Sequence, residues 1–157
     1  MVGFGGMAGW HYDLIEKIEN LSVAGIWDIR EERREYARSR QIPVYGSLEE
    51  LLADEKVDIV LAATQNDVHK SIAIAAMKAG KNVVSEKPVT LCSADLQEMI
   101  EASRECGRFL TVHQNRRWDE DFLTVKKLLA EGTLGEVYRL ESRVHGSRGI
   151  PGDWRQE

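Results

Sequence analysis

Between residues 7 and 113, short apolar runs alternate with stretches whose apolar residues recur every three or four positions. Trp10, Leu14, Ile15 and Ile18 keep the helical spacing and predict a helix over 7–20. Residues 21–27 read as a buried strand ending at Asp28. Residues 30–40 follow as a charged helix whose Glu31, Glu32, Arg33, Arg34 and Glu35 form a solvated face. Residues 43–45 predict a short strand, and Ser47 with Glu50 three positions on predicts a capping box for a helix through Ala53. The run 57–63 is rich in β-branched and apolar residues, as in a strand covered on both faces. Asp67 is expected to cap a helix over 68–79 that Gly80 ends. A strand over 82–85, a helix from Ser93 closed by Gly107, and a strand over 109–113 complete the series.

Such alternation predicts an α/β fold, a doubly wound parallel sheet with right-handed crossovers. Ligands bind such a sheet at the carboxyl ends of its strands. Four polar sets fall there: Asp28, Thr64-Gln65-Asn66, Glu86-Lys87 and Gln114-Asn115-Arg116. The remainder differs. An amphipathic helix over 122–131 is closed by Gly132, and residues 135–144 alternate as in a half-exposed strand of another sheet. The expected division is 1–118 for the first domain and 119–157 for the start of a second. Only two residues precede Gly3, and the last residues read as a loop, so a piece of a longer protein is expected.

The 157 residues, 43% hydrophobic and 30% charged, are the composition of a globular domain able to bury a core. A net charge of -5 argues against nucleic acid as a partner. No apolar run has the length of a membrane span and no signal peptide opens the chain. Cys92 and Cys106 match no metal-ligand spacing and read as reduced thiols, so a cytoplasmic location is expected.

The chemistry begins at Gly3-Phe4-Gly5-Gly6-Met7-Ala8, a G-x-G-x-x-A turn between a first strand and a first helix. Gly3 permits the sharp turn, Gly5 lets backbone approach a pyrophosphate, and Ala8 lets the helix pack on the strand. The helix N-terminus then presents free N–H groups and its positive dipole end to phosphate. Asp28, twenty residues after Ala8, can accept hydrogen bonds from an adenosine ribose and repels a 2′-phosphate; its bland alternative is a helix cap. Arg30, Arg33 and Arg34 nearby soften that preference, so NAD is favoured over NADP. Lys87 falls beside the position expected for a nicotinamide, where a buried ammonium can take part in proton transfer. Lys87–Pro88 is also a candidate cis bond. His11 and His145 have no partner pattern, and neither His69 nor His113 forms a credible metal set, so no metal is expected.

In order and spacing, the glycine turn, Thr64-Gln65-Asn66 with His69, Glu86-Lys87-Pro88 and Asn115-Arg116-Arg117-Trp118-Asp119 resemble the Gfo/Idh/MocA family of oxidoreductases. The resemblance covers essentially the whole chain. It implies an N-terminal NAD(P)-binding Rossmann domain and a larger α/β domain that builds the substrate site and mediates homo-oligomer contacts. It further implies that Gly3, Phe4, Gly5, Gly6, Met7, Asp28, Arg30, Thr64, Asn66, His69 and Glu86 hold the cofactor, with Lys87 as the catalytic lysine. Asn115, Arg116, Trp154 and Arg155 would lie near the cofactor. Gln65 departs from the proline usual at its position.

The function so implied is hydride transfer between NAD and a sugar, inositol or similar polyol, with this chain alone supplying mainly the cofactor-binding part. The family's substrate-side aspartate and histidine would lie beyond Glu157, so the chain by itself is expected to bind cofactor without turnover. The alternative is a non-catalytic NAD-binding regulator or scaffold of the same family.

Overall fold

The computed structural model describes residues 1–143 and 145; these divide into two compact units, Met1–Gln114 and the described residues from Asn115 on. The first unit is built on a parallel sheet. Strands β1 (Ile59–Ala62), β2 (Asn82–Ser85) and β3 (Leu110–Val112) pair in that order, with Ile59 opposite Asn82 and Val83 opposite Leu110. Parallel bridges extend the sheet beyond β1, from Ala62 to Val2, from Val2 to Trp27, and from Ile26 to Val44. Counting these segments, the spatial order reverses at Val2. The first segment of the chain lies between the second and the fourth, as in a doubly wound dinucleotide-binding sheet.

Helices α1 (Gly6–Ile15), α2 (Glu31–Ser39), α3 (Leu48–Ala53), α4 (His69–Lys78) and α5 (Ser93–Cys106) connect these segments. Side chains along a strand alternate between its faces, and the core divides accordingly. Val60 and Ala62 pack with Leu51 of α3, Ile72, Ala73, Ala76 and Met77 of α4, and Met99 and Ala102 of α5. Leu61, between them in sequence, packs with Ala8 of α1, Ala37 of α2, Phe4 and Ile26. Helices therefore cover both faces. That is why 57–63 shows no polar alternation.

Several expected boundaries contract. In place of a strand over 21–27, only Ile26 and Trp27 join the sheet, and the strand over 43–45 reduces to the bridge at Val44. The predicted cap at Asp67 does not form: a 3-10 turn (Asn66–Val68) leads into α4 without a side-chain cap. Ser47 caps α3 as predicted, accepting from Glu50 N at 3.1 Å, while Glu50 returns to Gly46 N at 2.6 Å rather than to the cap residue. Gly80 and Gly107 end α4 and α5 in the left-handed region. No helix of the described residues is long and apolar enough to cross a membrane.

In the second unit a 3-10 turn (Asn115–Trp118) precedes α6 (Glu120–Ala130). The strand expected over 135–144 is not formed in residues 135–143. A strand is stable only when its backbone groups find a ladder, and no strand among the described residues pairs with this segment.

Tyr45 ties the edge of the sheet to the end of α3, its hydroxyl donating to Asp54 Oδ2 at 2.6 Å. Burial, and then the hydrogen bond to Asp54, push the Tyr45 hydroxyl up to about 12. A group whose folded value is raised stabilises the fold below its unfolded value and loses that contribution as pH rises through the folded one. Urea unfolding should therefore show stability falling between about pH 10 and 12, with a visibly smaller fall in Tyr45→Phe. Equal slopes for the two proteins would remove Tyr45 from this account.

Candidate functional site

The carboxyl edge of the sheet begins at Gly3. Val2 is held in register opposite Ala62, its N–H donating to Leu61 O at 2.8 Å and its carbonyl accepting from Ala63 N at 2.9 Å. The chain then turns at Gly3 with φ +85°, and a Cβ there would lie 2.5 Å from Ala63 O. Only glycine fits that approach. Two residues on, Gly5 caps α1 with ordinary extended angles, and a Cβ on it would meet nothing within 4 Å. The cap supplies no side-chain acceptor to the first turn. Those amides are the groups an anion takes at a helix N-terminus.

Asp28 joins this loop to the next strand end. It is 5% exposed; its Oδ2 accepts from Phe4 N at 2.7 Å and its Oδ1 from Arg30 N at 2.9 Å. A carboxylate has about four acceptor positions, so capacity remains for a ribose hydroxyl pair. The Arg30 guanidinium, half exposed, reaches Oδ1 at 3.5 Å. Arg34 is spent on backbone, donating to Asp28 O at 2.5 Å and pairing with Glu31. A glycine loop with open space at Gly5, an uncapped helix start and a buried carboxylate bonded to the loop suit a dinucleotide's pyrophosphate and ribose. Phe4 contributes backbone only, since its ring is buried against Tyr12 and Tyr36.

Across Gly3, the Thr64 methyl lies where a Gly3 Cβ would come within 3.0 Å, and Asn66 begins the 3-10 turn half-buried. His69 does not line this edge as expected. It is fully buried, with Nδ1 3.0 Å from Pro88 O and Nε2 3.2 Å from Thr64 O. Two carbonyls face two ring nitrogens, so a neutral ring bonds one and an imidazolium bonds both. Its place is behind the two loops, which it braces. The Lys87–Pro88 bond is cis.

At the end of β2, Glu86 is buried and occupied by three donors. Its Oε1 lies 2.7 Å from His11 Nε2 and 2.9 Å from His113 Nδ1, and its Oε2 accepts from Lys87 N at 3.1 Å. Burial raises the Glu86 carboxyl; the His11 hydrogen bond, the Lys87 amide and the two histidines outweigh it and hold the group below the ordinary carboxylate value. This corrects two expectations. His11 does have a partner, and His113 does meet a carboxylate with ligand-like spacing: the three donor atoms lie within 4.8 Å of one another. The signal for His11 was its position three residues after buried Ala8, which puts it on the sheet-facing side of α1. Lys87 departs from expectation as well, since its side chain is exposed rather than buried.

Asn115 and Arg116 belong to the second unit, where Arg116 Nη1 donates to Asp119 Oδ2 at 3.0 Å. Trp154 and Arg155 lie outside the described residues.

Residues 1–114 match the family model of the oxidoreductase family with an NAD-binding Rossmann fold. The chain belongs to the Gfo/Idh/MocA oxidoreductase family. A crystal structure of an NAD-binding protein from Listeria innocua is 52% identical with a TM-score of 0.94, over 99% of this chain and 46% of that one. The scyllo-inositol 2-dehydrogenase (NADP(+)) of Bacillus subtilis is 31% identical over 157 residues, 97% of this chain and 43% of its own length. The structure of the WlbA dehydrogenase from Bordetella pertussis in complex with NADH and UDP-GlcNAcA is 29% identical with a TM-score of 0.82, over 87% of this chain and 42% of that one. The chain thus spans less than half the length of each of these three relatives. The Rossmann domain and its NAD cofactor follow from the family match.

His69→Ala would remove both braces and leave a cavity beneath the Thr64 and Pro88 loops. It should lower stability by about 2–4 kcal/mol in denaturant unfolding; a loss below about 0.5 kcal/mol would mean the braces do not hold the loops.

Proposed function

We propose that the protein is an NAD-dependent oxidoreductase acting on a sugar, inositol or similar polyol, with this chain supplying its cofactor-binding part. The observation that carries this reading is the open space at Gly5, before an uncapped helix start, joined through Phe4 N to buried Asp28. In the proposal, backbone amides of Gly5, Gly6 and Met7 take the pyrophosphate and Asp28 takes the ribose. Arg30, Thr64, Asn66 and Glu86 line the remainder, together with Asn115, Arg116, Trp154 and Arg155 from the following part of the chain. When bound, the nicotinamide supplies the hydride-accepting carbon.

Lys87 is assigned to the hydroxyl proton of the substrate. Support comes from its place at the end of β2, its backbone fixed by Glu86 Oε2. Its exposed side chain leaves substrate enclosure to residues after 118, which we read as the start of a second, substrate-binding and oligomer-forming domain. A dry cleft that holds donor carbon and nicotinamide in contact geometry would be completed there. The preference for NAD rests on Asp28, whose charge repels a 2′-phosphate; exposed Arg30 limits that preference rather than reversing it.

Two glycine variants separate scaffold from site. Gly3→Ala should lower stability by about 2–4 kcal/mol, because its φ and its neighbour both exclude a Cβ. Gly5→Ala should leave stability within about 0.5–1 kcal/mol while weakening NADH binding tenfold or more in calorimetric titration. The same titration should show NADH bound more tightly than NADPH, with Asp28→Ala narrowing the difference. A well-folded Gly5→Ala protein with unchanged NADH affinity would overturn the assignment of the loop. In the intact protein, Lys87→Ala should reduce turnover far more than NADH affinity. Unchanged turnover would remove Lys87 from the reaction.

A further inference from the structure

We propose that His11 Nε2, His113 Nδ1 and Glu86 Oε1 form a binding site for one divalent ion of the zinc class. The three donors come from three places: the second turn of α1, the end of β3 and the turn after β2. Each is placed by backbone rather than by chance meeting of flexible side chains. Glu86 N donates to Ala62 O at 2.9 Å, His113 N to Ser85 O at 2.9 Å, and His11 is carried by α1 beside its buried Ala8. The other Glu86 oxygen is oriented by Lys87 N at 3.1 Å, as outer-shell partners orient carboxylate ligands in metal sites.

The spacing suits a small ion. Zinc bonds nitrogen and oxygen at about 2.0–2.2 Å, which in a tetrahedron separates ligand atoms by roughly 3.3 Å. Here Glu86 Oε1 lies 2.7 and 2.9 Å from the two nitrogens, and all three atoms lie within 4.8 Å of one another. Admitting the ion requires each nitrogen to part from Glu86 Oε1 by about half an ångström. The donor types decide the class: two imidazoles and one carboxylate suit zinc and its d-block neighbours, whereas magnesium and calcium prefer oxygen throughout.

The protons balance without an added reactant. A carboxylate only accepts, so in the metal-free protein both facing nitrogens carry hydrogen. Each neutral imidazole can move its proton to its other nitrogen, exposing a lone pair toward the ion while keeping its charge. The histidine side chains are 11% and 22% exposed and Glu86 is 7% exposed. An ion could therefore enter from the histidine side, with coordination positions left for water or an oxygen of a bound molecule.

The test is titration of the chelator-stripped protein with zinc chloride, followed by calorimetry and thermal unfolding. We expect one ion bound per chain and a rise in Tm of roughly 5–10 °C at a hundredfold excess over Kd. His11→Ala and His113→Ala should each weaken binding tenfold or more, while Cys92→Ser should leave it unchanged. No saturable binding would overturn the proposal and leave the cluster a hydrogen-bonded brace. Equal affinity in both histidine variants, or loss in Cys92→Ser, would place the ion elsewhere and also overturn it. If the histidine variants do not fold, Co2+ bound to the unaltered protein decides. Strong visible bands without thiolate charge transfer support a tetrahedral nitrogen–oxygen site, and a weak octahedral spectrum excludes it.

Discussion

The carbonyl of Ala63 approaches Gly3 so closely that no side chain can stand between them, and the carboxyl edge of the sheet takes its shape from that approach. Val2 is locked between Leu61 and Ala63 by two backbone hydrogen bonds, so the chain arrives at Gly3 with one position and one direction. The left-handed turn then sends Phe4 inward and sets Gly5 as the cap of α1. Because Phe4 N is bonded to Asp28, the next strand end is pinned to the same loop. The uncapped helix start and the buried carboxylate beside it are consequences of one tight backbone contact.

The alternation of elements was readable because the sheet is covered on both faces. Residues 60–62 had to be apolar at every position, and Val60, Leu61 and Ala62 do pack to opposite sides. Strand lengths were less readable. Residues 21–25 are as apolar as a strand, yet pairing begins only at Ile26, where parallel neighbours are available on both sides. Leu21 is half exposed and Ala24 is exposed, so hydrophobicity there brought neither burial nor a ladder, which requires a neighbour in register. The same reasoning covers 135–143, whose alternation describes a surface that no paired strand completes among the described residues.

The turn at the carboxyl edge was legible where backbone geometry dictates residue type, at Gly3. The edge was illegible where side chains from distant segments converge. His11 and Glu86 are seventy-five positions apart, and neither carries a local spacing pattern. Only the topology, which puts α1 over the ends of β2 and β3, makes them partners. His69 shows the opposite failure. Its motif suggested a ligand contact, but both ring nitrogens face carbonyls of loops that themselves line the edge, and no atom of it reaches solvent.

Asp28 and Glu86 share a design. Each is a buried carboxylate at a strand end that accepts the amide of a neighbouring turn, Phe4 and Arg30 in one case, Lys87 in the other. A buried charge is tolerated only when its lone pairs are engaged, so these bonds are conditions for keeping ionised groups out of water. Acceptor positions left over after those bonds are then already desolvated, oriented and charged when a ligand arrives. Binding can draw on organisation that folding has completed, which is the economy of preorganisation. It also means that removing either carboxylate disturbs the turn it holds. Gly5 differs because its missing side chain supports no fold contact. Under the proposed cofactor reading, its small size answers to the phosphate that would approach from outside rather than to the fold around it.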